Sequence, residues 1–198
     1  MILSLQGCMA VGKTTAARYL QAHTQQVQVF FESTGDVIQQ VRSRHLDKTH
    51  YPDYLEIQKL WLANEVRRWE QAAKYPHSVL DFGAEEIEFY TLHYPQSIGQ
   101  DWEVERPLQQ ELAAVRRCMP DRILFLDASD AVLRARKEAD STRSREFFDH
   151  YLTHMLPQKR AWFAPKDNVD WLSVDLLTPE QVGRQVQDWC LRCIQQGE

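Results

Sequence analysis

Eight consecutive residues near the start of the chain constrain its fold most: Gly7-Cys8-Met9-Ala10-Val11-Gly12-Lys13-Thr14, directly after an apolar run at residues 2–6. The spacing is G-x-x-x-x-G-K-[ST], and each fixed position has a physical task. Glycine lets the backbone curl until successive N–H groups point inward, a concavity that suits phosphate oxygens. A helix beginning at the lysine turns the positive end of its dipole to the same point. Lys13 is then placed for the β- and γ-phosphates of a triphosphate, and the Thr14 hydroxyl for a Mg²⁺ ion. So short a pattern also arises by chance, and context decides. Here a strand-like run precedes the loop and good helix formers at 14–23 follow it. The expected nucleotide contacts are Gly7, Ala10, Val11, Gly12, Lys13, Thr14 and Thr15.

The same alternation of strand and helix continues to the end of the chain. Further β-rich runs lie at 27–31, 78–82, 123–126 and 169–174. Helical spacing is expected from about 36, at 54–74, 84–92, 108–118, 131–138 and 146–163, where Pro157 should kink or divide the helix. Pro95, Gly99 and Pro107 mark 94–106 as a loop, and 140–145 is polar and exposed in character. Thr178-Pro179-Glu180 opens the last helix, with threonine as cap and proline in the first turn. Strands alternating with helices imply an α/β fold, a parallel sheet covered on both faces. The chain has 198 residues, which fits one domain over 1–198.

Composition narrows the partners. With 43% hydrophobic residues and a net charge of -5, a packed core is expected and a broad basic face is not, which argues against a nucleic acid polymer as partner. Apolar runs fall far short of the ~20 residues of a membrane helix. Met1 leads at once into the first strand with no leader-like segment, so the expected compartment is the cytoplasm. Cys190 and Cys193 have C-x-x-C spacing, but they share a helical face with Val182, Val186 and Trp189, which reads as core packing and not as a zinc site.

The segment Pro120-Asp121-Arg122-Ile123-Leu124-Phe125-Leu126-Asp127-Ala128, followed by Val132, Leu133 and the arginines from Arg134 to Arg145, resembles the strand, helix and arginine-bearing lid of the small P-loop kinases of nucleosides and nucleotides, the deoxynucleoside and thymidylate kinase group. No Asn-Lys-x-Asp guanine motif is present. The resemblance implies the P-loop nucleoside triphosphate hydrolase fold with a five-stranded parallel sheet, ATP and Mg²⁺ as cofactors, and a small-molecule phosphate acceptor. It also implies a lid at about 134–146, whose Arg136, Arg143 and Arg145, with Arg134, clamp the transferred phosphoryl group. The residues alone also allow a solvated basic helix end paired with Glu138 and Asp140. A homodimer, frequent in that group, stays open because no segment singles out such a surface.

Glu32 and Asp81 end the second and third strand candidates, and open α/β sheets bind ligands at the carboxyl ends of their strands. By the resemblance, Phe31-Glu32-Ser33 holds the base toward an acceptor hydroxyl, and Asp81 is a Mg²⁺-holding carboxylate; the residues alone also allow Glu32 as a helix-capping carboxylate. The arginine that often follows such an acid is replaced here by Phe82-Gly83. Asp127, a second strand-terminal acid and so an alternative for the metal role, is read by preference as a structural hydrogen-bonding acid. Gln58, amid Leu55, Trp61 and Leu62, is an amide available to an acceptor base or else a surface glutamine. Glu85, with Glu86, Tyr90, Tyr94 and Trp102, is expected to shape the acceptor pocket, the aromatic residues alternatively belonging to the core, whereas His93 reads as a packed or exposed side chain. Three functions stay open: a nucleoside or nucleotide kinase, a kinase of another metabolite or antibiotic, and a non-catalytic ATP-binding switch.

Overall fold

The computed structural model describes residues 1–139 and 147–197. Its strands are β1 (Ile2–Gly7), β2 (Gln28–Phe30), β3 (Ser78–Asp81), β4 (Arg122–Asp127) and β5 (Val169–Ser173), all parallel in the order β2-β3-β1-β4-β5. Every residue of the central β1 is buried, so both faces of the sheet are covered. Side chains alternate between the faces. The Leu3 and Leu5 face receives α1 (Lys13–His23) and α9 (Pro179–Gly197). These helices touch so closely that a Cβ added at Gly183 would lie 2.3 Å from the Tyr19 ring. The Ser4 and Gln6 face receives α3 (Tyr51–Ala72), α4 (Ala84–Ser97) and α8 (Leu156–Phe163), with Phe163 packed on Phe125. The remaining helices are α2 (Gly35–Ser43), α5 (Gln109–Arg116), α6 (Asp130–Ala139) and the short α7 (Phe148–His150).

Two helices differ from expectation. Helix α4 runs through Pro95 to Ser97, where a loop was expected from 94. Proline cannot bond the carbonyl of residue 91. That carbonyl instead accepts from the Tyr54 hydroxyl at 2.9 Å, so the helix continues with a donor borrowed from α3. Helix α3 begins at Tyr51, three residues early, because Pro52 falls in its first turn, where a missing N–H costs nothing. The division expected at Pro157 takes the form of a π-helical turn, Tyr151–Met155, between α7 and α8. Cys190 and Cys193 are buried in α9, as the helical face indicated, and burial pushes the Cys190 thiol up to about 12. Among the described residues, no helix is long and apolar enough to cross a membrane.

Candidate active site

The loop between β1 and α1 sits at the carboxyl end of the central strand. Gly7 has φ +134°, and a Cβ there would stand 2.3 Å from the Leu126 carbonyl oxygen, so both conformation and space exclude a side chain. Gly12 has φ +109° with open space around it, and Ala10 also adopts a left-handed conformation at φ 66°. These reversals fold the loop back over the start of α1. Lys13 Nζ donates to the carbonyls of Gly7 and Cys8, both at 2.9 Å. Desolvation, and next the nearby Lys159, hold its ammonium below the usual lysine range.

Asp81 ends β3 beside the loop. Its Oδ2 accepts from Thr14 Oγ1 at 2.6 Å, while Oδ1 is buried without a hydrogen-bond partner among the described residues. A hydroxyl and a carboxylate with an unanswered oxygen form the hard-oxygen donor set that Mg²⁺ prefers, so the residues present fit that ion.

Next to Asp81, Phe82 holds φ 50°, a conformation rare for a bulky side chain. Arg68 of α3 lies beneath it, donating to the Phe82 carbonyl and to Glu65 at 2.9 Å. An arginine thus stands near the position where the sequence pattern lacks one. It is buried and committed to backbone and Glu65.

A cavity of about 1060 Å³ opens from the loop between α2, α3 and α4. Its walls include Lys13, Thr14, Thr15, Glu32, Gln58, Asp81 and Arg136, so most of the predicted site residues meet there. Glu32 is exposed to the cleft, yet crowding by protein and next the Asp81 charge push its carboxyl above the usual range. Gln58 is 1% exposed, and its amide oxygen accepts from Thr91 Oγ1 at 2.9 Å. It is therefore not a surface glutamine.

Arg136 donates to the carbonyls of Val11 at 3.0 Å and Val174 at 2.8 Å, which ties α6 to the phosphate loop and to the end of β5. Arg134 points elsewhere and pairs with Asp149. Arg143 and Arg145 lie outside the described residues. Asp127 accepts from Arg160 at 2.8 Å, in keeping with a structural role.

One expected acceptor contact is corrected. Glu85 is 2% exposed and turned under the sheet, where its carboxylate takes bonds from Ser4 and, at 2.6 Å, from Gln6. Burial raises its carboxyl, and the cavity is met instead by its neighbour Glu86. The first turn of α4 presents one residue to the sheet and the next to the cleft, and the position of that split is set by packing. Tyr90 lines the cavity as expected, whereas Tyr94 and Trp102 pack on Tyr54. His93 is packed between Phe89 and Trp162.

The cleft also contains groups that the sequence reading passed over. Phe147 and Tyr151 close it from the α7 side, and Lys48 lies over the Phe147 ring at 4.5 Å. Behind them Lys159 of α8 is fully buried and pairs with Glu86. A signal for it existed: Leu152, Met155, Leu156 and Phe163 form an apolar helical stripe, with a lysine at 159 in the middle.

A family model described as an AAA domain matches residues 3–165. No curated protein matches the chain. Among solved structures, thymidylate kinase from Candida albicans is similar with a TM-score of 0.65 at 15% identity, covering 97% of this chain and 91% of that one. Deoxyadenosine kinase from M. mycoides, with the products dCMP and a flexible dCDP bound, gives 0.65 at 13% identity over 97% of this chain and 100% of the other. The same enzyme with bound dCTP gives 0.66 at 12% identity over 96% and 98%. At such identities the likeness speaks for the fold.

Proposed function

The chain belongs to the AAA domain family of P-loop proteins, and from that premise we propose that it is an ATP-dependent kinase of a small molecule, with a nucleoside or nucleotide as acceptor. One observation carries the reading: the phosphate loop, Glu32, Asp81 and Gln58 all line a single cavity of about 1060 Å³. That volume accommodates two reactants side by side, being at the upper end of the ~300–1,000 Å³ typical of ligand pockets. The single sheet and the match across residues 3–165 support one domain.

In this reading the inward N–H groups of the loop, from Gly7 to Thr15, bind the triphosphate. Lys13 has three donors, two of them on the Gly7 and Cys8 carbonyls, and the third serves the phosphates. Thr14 and Asp81 would hold Mg²⁺, which when bound would offset charge on the phosphate oxygens. Glu32 accepts the proton of the acceptor hydroxyl, and its raised carboxyl makes it a stronger base than an ordinary glutamate. Gln58, with its oxygen fixed by Thr91, offers N–H donors to the acceptor. Arg136 steadies the loop and offers its remaining N–H groups to the transferred phosphoryl.

The test is transfer of labelled phosphate from ATP to a panel of nucleosides, nucleoside monophosphates and sugar-like hydroxyl compounds, scored against hydrolysis with ATP alone. Glu32→Gln lowers kcat by about 10²–10⁴-fold, the usual range for loss of a general base, and leaves ATP affinity nearly unchanged. In the unmodified protein the rate falls as pH drops through a value above the ~4.3 of free glutamate, because only the ionised carboxylate accepts a proton. The variant lacks that limb. Hydrolysis without transfer to any compound would point to a nucleotide switch and end the kinase reading.

A further inference from the structure

Burying an ammonium costs several kcal/mol unless it is answered by charge and hydrogen bonds. Lys159 is 0% exposed. Its Nζ donates to the Glu86 carboxylate and, at 3.1 Å, to the Gly7 carbonyl. The rings of Phe125, Tyr151 and Phe163 surround it at 5.8, 5.9 and 5.9 Å. The same Gly7 carbonyl accepts from Lys13 at 2.9 Å, so two ammonium groups converge on the residue that opens the phosphate loop. Glu86 offsets the second of them.

An apolar side chain of similar volume would fill this place with less desolvation, and buried ion pairs replaced in that way are often neutral or more stable. Fold stability therefore gives no reason for a lysine here, whereas the geometry of Glu86 does. One carboxylate oxygen is held by Lys159, and the other receives a long bond of 3.3 Å from the Tyr151 hydroxyl. A carboxylate offers about four lone-pair sites, so accepting capacity remains. The side chain is 16% exposed and lines the cavity, on the same helix as Tyr90. Directly beside this carboxylate an uncharged hydrogen-bond donor is favoured over an anionic group.

We propose that Lys159 is a positioning residue: it holds Glu86 as the acceptor of a hydrogen bond from a second hydroxyl of the phosphate-accepting molecule. The inference rests on the phosphotransfer reading above.

The experiment measures steady-state transfer from ATP to ribonucleosides and to their 2′-deoxy and 3′-deoxy counterparts. It uses the full chain, Glu86→Gln, Lys159→Met and the double variant, which removes both charges while nearly preserving volume. In the unmodified protein, losing the recognised hydroxyl lowers kcat/KM by about tenfold or more, as expected for a hydrogen bond to a charged group. In the double variant that preference shrinks to within about threefold, acceptor KM rises about tenfold, and ATP KM stays within about threefold. Its melting temperature stays level or rises. Lys159→Met alone shows the same loss of preference, and should it fail to fold, the double variant decides. A double variant that keeps both preference and acceptor KM overturns the proposal, as does an unmodified protein that transfers phosphate without distinguishing the analogues. No transfer to any compound by the unmodified protein overturns the phosphotransfer reading and this inference with it.

Discussion

The phosphate wall of the cavity comes from one stretch of chain between β1 and α1, whereas the facing wall takes single side chains from α3, α4 and the helical stretch around Tyr151. On the first wall, residues six apart bond each other, as Lys13 and Gly7 do, and Asp81, Arg136 and Lys159 add bonds from outside to a loop already shaped by its own glycines. On the second, partners are remote: Gln58 is oriented by Thr91, and Glu86 by Lys159. A wall made from one stretch of chain takes its shape from local backbone conformation. A composite wall depends on how helices pack, and its chemistry changes when packing changes.

The sharpest way to break this contrast is Lys13→Ala. If the phosphate wall is self-contained, calorimetry shows ATP affinity reduced by about 10- to 100-fold, equivalent to the ~1.5–3 kcal/mol of a charged hydrogen bond. Acceptor binding measured without nucleotide is unchanged, and undiminished ATP affinity would dismiss the loop as a cradle. Thr91→Val tests the other wall. It strands the buried Gln58 oxygen, costing about 1–3 kcal/mol of stability by denaturant unfolding. It also raises acceptor KM several-fold while ATP KM holds; a shift in both constants would mean that the walls are not separable. Gly183→Ala sharpens the comparison from the back of the sheet. The added methyl meets the Tyr19 ring, and overpacking of this kind costs about 1–3 kcal/mol. At roughly 2–4 °C per kcal/mol for a chain of this size, the melting temperature falls by several degrees. Since Tyr19 belongs to the helix that carries Lys13, the small loss in affinity that follows is expected in ATP and not in acceptor.

The same division explains what the sequence discloses. The loop, its strand and its helix are legible because their physics is short-range: glycine conformation, helix start and lysine reach all fall within one motif. Glu32 and Asp81 are legible through strand ends, which a parallel sheet gathers at one edge. Glu85 was misplaced for the opposite reason. Two adjacent acids at 85 and 86 look alike along the chain, and only the docking of α4 on Ser4 and Gln6 decides which one turns under the sheet. Lys159 carried a legible anomaly, a charge in an apolar stripe, yet its partners lie at residues 7 and 86 and no local pattern names them. Pro95 reads as a helix terminator in any local window. Its effect was cancelled by Tyr54, a residue on another helix.

That cancellation has an evolutionary corollary. Because one phenolic hydroxyl repairs the gap left by one imino ring, positions 54 and 95 are not free to drift independently. Relatives that keep proline at 95 should keep a side-chain donor at 54. Relatives with an ordinary residue at 95 regain the backbone bond and release 54 to phenylalanine. The two sites form a correlated pair with no contact to phosphate or acceptor, and an alignment deep enough to resolve them would record helix repair in the guise of functional coupling.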